Sequence, residues 1–228
     1  MKKSPFFVFF ECLAICLGYF ALAACSDNSA SAEEFNAASI CPESGRSSFV
    51  DDRDGQVYKY TTIGNQVWMA ENLRYKIKEE TVADPSNDFR SECFFSDDSC
   101  SVMGLVYNWN AAKDACPRGW HLPSEKEWNI LVGRMGGDVE ANYRLRSTNG
   151  WKKLNRNENL NGSDDCGFML LPSQETYKPN IGYVAVAWSS SEGSSEDNEL
   201  ILFFRVASYR TNLQLFYTDG YKSDLKSI

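Results

Sequence analysis

A single histidine, His121, is the scarcest chemical resource in this chain of 228 residues, and that scarcity removes whole classes of function. A zinc site draws about four Cys or His ligands at short spacings. The chain offers one imidazole and no Cys-x-x-Cys. There is no Gly-x-Ser-x-Gly elbow to present a nucleophilic serine. Basic residues are outnumbered, 23 Lys and Arg against 31 Asp and Glu, and the net charge is −8. Nothing forms the clustered Lys/Arg stripe that displaces counterions from nucleic acid, so nucleic acid is not an expected partner. Acidic clusters occur at Asp51-Asp52-Arg53-Asp54, Asp97-Asp98 and Asp164-Asp165. None completes the alternating oxygen ligands and terminal bidentate Glu of a calcium loop. They read as solvated turns, so neither a metal nor a cofactor is expected. No internal repeat of fixed period occurs.

What is present starts at the N-terminus. Lys2 and Lys3 precede an apolar run from Phe6 to Ala24 interrupted only by Glu11, which is the layout of a secretory signal. The run ends in Leu22-Ala23-Ala24-Cys25, which resembles the bacterial lipobox, where the cysteine is acylated and becomes the new N-terminus. Residues 1–24 are therefore expected to be a lipoprotein signal and Cys25 a lipid anchor. With Glu11 inside it and Ser26-Asp27-Asn28-Ser29 after it, the run is a poor spanning helix, which needs about 20 apolar residues. The partner implied is a membrane, reached through the lipid. The expected address is the cell envelope, extracytoplasmic and outer-membrane, since no aspartate stands directly beside Cys25.

An envelope address permits disulfides. Of eight cysteines, Cys12 and Cys16 lie in the signal and Cys25 is the anchor, leaving Cys41, Cys93, Cys100, Cys116 and Cys166. Cys93 and Cys100 enclose a short polar loop and make the best pair by spacing. An odd count leaves one thiol free, paired between molecules, or without its mate.

Residues 25–48 are rich in Ser, Ala, Asn, Glu and Gly and read as a flexible tether. Order is expected near Phe49. Val57 to Ile63 and Gln66 to Met69 read as strands joined by a turn at Gly64-Asn65. Residues 76–101 read as a long polar excursion. A short helix over Asn108–Ala115 stops at Cys116-Pro117. The strongest helix follows: Ser124-Glu125-Lys126-Glu127 is a capping box, and Trp128, Leu131, Val132 and Met135 mark one buried face. Another helix is expected from Val139 to about Arg146. Strands are expected at Phe168–Leu171, Ala185–Ser189, Leu200–Val206 and Leu213–Tyr217. Helices first and strands last, without alternation, argue for an α+β fold.

The blocks Asp54-Gly55-Gln56-Val57-Tyr58, Gln66-Val67-Trp68-Met69-Ala70-Glu71-Asn72-Leu73 and Gly104-Leu105-Val106-Tyr107-Asn108-Trp109 follow in order. After them come Ala115-Cys116-Pro117-Arg118-Gly119-Trp120-His121-Leu122-Pro123-Ser124, Glu127-Trp128, Gly167-Phe168 and Trp188-Ser189-Ser190-Ser191-Glu192. Together they resemble the Fibrobacter succinogenes major paralogous domain, a family of exported bacterial proteins, over residues 49–228. More distantly, Trp120 to Trp128 is similar to a block of sulfatase-modifying-factor domains. That likeness implies a C-type-lectin-like, irregular α+β domain with two or three helices and a short antiparallel sheet. Family members usually finish on a strand reading approximately Ser-Val-Arg-Cys-Val, whose cysteine is a mate for the one in Cys-Pro-x-Gly-Trp. The chain stops at Leu225-Lys226-Ser227-Ile228, so the resemblance implies a few further residues and an unpaired Cys116, with Cys41 and Cys166 left to pair.

Chemistry finds little to work with. His121 has no orienting partner evident in the sequence and reads as a structural or surface histidine. A cysteine-based oxidase, which the sulfatase-modifying likeness would imply, needs cysteines in the C-terminal part, and none follows Cys166. Cys116 beside Arg118 has a cation to favour its thiolate, although a lost mate is the simpler account. Trp68, Trp109, Trp120, Trp128 and Trp188 fall at apolar-periodic positions and read mostly as core. Tyr177, Tyr183, Tyr209, Tyr217 and Tyr221 lie near loop-forming residues and are the expected ligand face. The reading is a lipid-anchored, non-catalytic surface module binding polysaccharide or protein. An enzyme related to sulfatase-modifying factors and a structural envelope protein are its alternatives.

Overall fold

The structure, a computed structural model, describes residues 35–77, 90–93, 100–152, 159–173, 182–194, 199–209, 214–218, 226 and 228. The expected signal, Cys25, Tyr177 and Tyr221 lie outside the described residues. Within the described part the fold is α+β, with short helices and three small antiparallel sheets.

Regular structure is present ahead of Phe49, where order was expected to start. Asn36 caps a one-turn helix, α1 (Ala37–Ile40), by accepting the Ala38 N–H, and a 3-10 turn follows at Glu43–Gly45. The physical reason is covalent: Cys41, only 2% exposed, is bonded to Cys166, which pins the polar segment against the core. Strand β1 (Ser47–Val50) then pairs with β2 (Val57–Ile63), and β2 with β3 (Gln66–Met69), in the order β1-β2-β3. Gly64, at φ +59°, turns the β2–β3 hairpin, a conformation glycine adopts without steric cost.

The excursion expected over 76–101 carries β4 (Ser91–Cys93), which pairs with β5 (Leu105–Tyr107), and a one-turn helix α2 (Cys100–Met103). Cys93 and Cys100 are bonded there. Helix α3 (Trp109–Ala115) starts at Asn108, whose side chain accepts the Ala111 N–H. Helix α4 (Glu125–Arg134) has the full capping box, and Trp128, Leu131 and Val132 are buried along one face. Helix α5 (Asp138–Arg144) follows the Gly136-Gly137 break. The described residues hold five α-helices where two or three were expected, because two single turns, α1 and α2, are too short to leave a periodic signal.

The third sheet, in the order β6-β7-β8, comprises β6 (Val184–Ser194), β7 (Glu199–Ala207) and β8 (Gln214–Thr218). The strand expected at Phe168–Leu171 does not form. Met169 is left-handed at φ +57°, its N–H donates to the Asp164 carboxylate, and only Leu170 makes a single bridge, to Arg146. The run is apolar because Phe168 and Leu170 both face the core, from a loop fixed by Cys166.

The larger cluster of core residues gathers Trp68, Trp128, Leu131, Met135, Leu145, Phe168 and Phe204. Trp128 stacks on Phe204 at 4.2 Å and meets Trp68 at 4.9 Å. A second cluster joins Tyr58, Tyr107, Trp109, Leu122 and Trp188. Burial of such rings is the main favourable term in the fold.

Candidate binding cleft

Three stretches separated in sequence meet between these clusters. The β3 pleat sends Gln66 and Trp68 to one side, as the period of two requires. The loop Trp120-His121-Leu122-Pro123 enters α4 with its last carbonyl held from across the fold. The Ser190 N–H and the Ser189 hydroxyl, both in β6, donate to Pro123 O at 2.9 Å each. Ser191 Oγ accepts the Glu125 N–H at 2.8 Å, so β6 also caps the first turn of α4. Trp109 Nε1 donates to Ser189 O at 2.9 Å, and Trp188 Nε1 to Tyr107 O at 2.7 Å. These bonds lock β5, α3, β6 and the α4 entry together.

The result is a cleft of about 570 Å³ lined by Gln66, Val67, Trp68, Glu71, Asn72, Trp120, His121, Glu127, Trp128, Phe168, Trp188 and others. Its size falls within the usual range for small-ligand sites, about 300–1,000 Å³. Trp68, Trp128 and Trp188 are buried; Trp120 is half-buried and rests on Phe49 at 4.7 Å. Three polar atoms of lining residues are buried without a hydrogen-bond partner: Trp68 Nε1, Trp128 Nε1 and Gln66 Oε1. Native structures leave few such groups, so each calls for an explanation.

His121 is largely exposed, and its Nε2 lies 2.7 Å from Glu127 Oε1. Glu127 Oε2 accepts both the Ser124 N–H, at 2.8 Å, and the Ser124 hydroxyl, at 2.7 Å. Partial burial works to raise the Glu127 carboxyl, but the bonds from Ser124 and His121 prevail and hold it below its ordinary value. The order of contacts is Ser–Glu–His. A serine nucleophile needs the imidazole as its neighbour, with the carboxylate behind it. Here the carboxylate sits in the middle and serves the helix cap.

Cys116 also lines the cleft and is the free cysteine among the described residues. Burial pushes its thiol up to about 11, against a lowering effect from Arg53. The cation that matters is Arg53, not the sequence neighbour Arg118. Arg53 itself is held by Asp51 through two bonds of 2.9 and 2.7 Å. Ile228 lines the same cleft, its carbonyl accepting the Leu73 N–H at 2.9 Å. Cys41–Cys166 and Cys93–Cys100 have Cα separations of 5.4 and 5.2 Å. No group of three His, Cys, Asp or Glu among the described residues is placed to hold a metal ion.

Of the tyrosines expected as a ligand face, Tyr183 and Tyr209 are not among the residues lining this cleft. Tyr183 is half-buried against Val184, Val186 and Ala207. Tyr209 is exposed, its hydroxyl accepting from Arg205 at 2.9 Å. Tyr217 lies on β8. The cleft is instead built from tryptophans read as core. A usable signal was the grouping of Gln66-x-Trp68, Trp120-His121 and Glu127-Trp128 inside blocks that the fold joins.

The family model of the Fibrobacter succinogenes major domain matches residues 61–225, well over half of the chain and including Gln66, the four cleft tryptophans and Glu127. No curated protein and no solved structure matches the chain.

Proposed function

We propose, for a chain that belongs to the Fibrobacter succinogenes major domain family, that it is a non-catalytic binding module taking a polysaccharide segment in the tryptophan cleft. The observation that carries this reading is an aromatic-walled cleft of about 570 Å³ whose lining residues hold unpartnered buried donors and an unpartnered acceptor. A flat indole face matches the apolar face of a pyranose, and polar atoms beside it match the hydroxyl rim. Both lining glutamates are already engaged, Glu127 by the helix cap and His121 and Glu71 by Arg74, and this supports binding over hydrolysis, which asks two free carboxyl groups of a site acting on sugars. The N-terminal Leu22-Ala23-Ala24-Cys25 supports display from an envelope membrane, outer and extracytoplasmic, on a lipidated Cys25.

The test is retention of the full-length protein on polysaccharide gels, compared with Trp120→Ala. Losing the half-buried Trp120 ring should weaken retention by about tenfold, as for an aromatic anchor at the centre of an interface. Equal retention of the variant, or no retention of the parent on any polysaccharide, refutes the reading. The anchor is tested separately. Cys25→Ala should leave the protein soluble after cell fractionation, and a variant that still pellets with membranes after signal cleavage removes that part.

A further inference from the structure

We infer that the cleft selects a neutral, hydroxyl-bearing saccharide over an acidic one, a step that rests on the binding-module reading above. The three unpartnered atoms set the chemistry. An indole N–H only donates, so Trp68 Nε1 and Trp128 Nε1 require an acceptor. The Gln66 amide nitrogen already donates to Glu127 O at 3.1 Å, which leaves Oε1 as an acceptor in need of a donor. The Trp68 and Trp128 rings lie 4.9 Å apart, and Gln66 precedes Trp68 by two residues on the same side of β3, so all three belong to one wall. A hydroxyl group both accepts and donates. A carboxylate or sulfate placed at that atom only accepts and leaves Gln66 Oε1 unmet, so a sugar hydroxyl is the group that fits there.

Charge points the same way. Among the described residues the cleft is lined by two side-chain carboxylates, Glu71 and Glu127, and by no Lys or Arg. Glu71 is paired with Arg74 at 3.1 Å, which offsets its charge. Glu127 is shared between His121 and the helix cap, so His121 is engaged and is not a free cation for a ligand. An anionic sugar entering here meets Glu127 with no Lys or Arg of the described lining to balance it, and like-charge juxtaposition is disfavoured at a recognition surface. The unpartnered atoms are shielded from solvent by the residues packed around them. Engaging them takes side-chain adjustment of the kind common on binding.

Full-length protein in detergent is run by affinity electrophoresis at physiological salt against two neutral polymers, pullulan and galactomannan, and two acidic ones, polygalacturonate and alginate. The expected result is retention by a neutral polymer at least about tenfold stronger than by either acidic one, roughly the cost of one uncompensated polar mismatch. Gln66→Leu, Trp68→Phe and Trp128→Phe each remove one unpartnered atom, and each should weaken neutral binding by about threefold to tenfold. Only variants with thermal unfolding like the parent are scored; if none qualifies, the neutral-to-acidic ratio of the parent decides alone. Acidic polymers bound as well as neutral ones overturn the inference and leave the binding module standing, as do folded variants that bind like the parent. No retention on any polymer overturns both.

Discussion

Replacing Cys41 and Cys166 together by alanine should remove more stability than any other covalent change available in the domain. The bond closes a loop of sequence separation 125. Constraint of an unfolded loop that long is worth about 5 kcal/mol at 25 °C in the chain-entropy model. The same expression gives about 2 kcal/mol for Cys93–Cys100, whose separation is 7. The shorter loop lies inside the longer one, but the dependence is logarithmic, so nesting changes little. Domains of this kind are stable by about 5–15 kcal/mol, so losing the long bond takes a large share. Alanine is the right replacement because Cys166 is fully buried and a serine hydroxyl would need a partner there. Urea unfolding followed by tryptophan fluorescence measures the effect. With a slope of about 2 kcal/mol per molar urea, the midpoint should fall by about 2 M or more for Cys41→Ala/Cys166→Ala, and by about 1 M for Cys93→Ala/Cys100→Ala. A smaller shift for the first pair than for the second would refute the reasoning. Cys166 also carries the loop that seats Phe168, and its carbonyl accepts the Thr61 hydroxyl at 2.6 Å, so the long-bond variant should lose cleft binding before it unfolds.

Two further outcomes follow from titrating groups. Burial pushes Asp164 up to about 6, with bonds from Met169 and the charge of Arg46 acting against it and Asp165 adding to it. Between about pH 4 and 6 the native state then holds a proton that the unfolded state, with its ordinary carboxylate value of 3.8, does not. Stability from this group therefore rises as pH falls through about 6 and is lost as pH rises through it. Asp164→Asn keeps an acceptor for the Met169 N–H and tolerates φ +48°, so it should raise the melting temperature at pH 7.5 and not at pH 4; an equal change at both pH values sinks the assignment. Cys116, pushed up to about 11, should alkylate far more slowly than glutathione at pH 8 in the folded protein and normally in urea, and a rate matching glutathione in the folded state would show that the thiol is not held in its protonated form.

Much of the local structure was legible because its causes are local. The Ser124–Glu127 capping box and the spacing of Trp128, Leu131 and Val132 define α4 within about ten residues, and the structure has that helix. Gly64-Asn65 between two β-rich runs gives the β2–β3 hairpin with the expected bounds. The α+β class followed from the order of such elements. Where the cause is distant, the reading failed. Residues 35–48 looked like a tether because nothing near Cys41 announces a bond to Cys166. Phe168–Leu171 looked like a strand because burial of alternate residues is common to strands and to a loop pinned over a core.

The sequence alone carried the basic-then-apolar pattern of residues 1–25, the acidic balance, the family blocks and the helix and hairpin signals, each of which is written within a short window. The tertiary structure decided which side chains become neighbours. It placed Trp68 beside Trp128, set Pro123 O under two β6 donors, and left three polar atoms of the cleft wall without partners. A tryptophan at an apolar-periodic position reads as core whether it fills an interior or walls a cleft. Only the arrangement of chain around it decides between the two, and packing across long sequence separations fixes that arrangement.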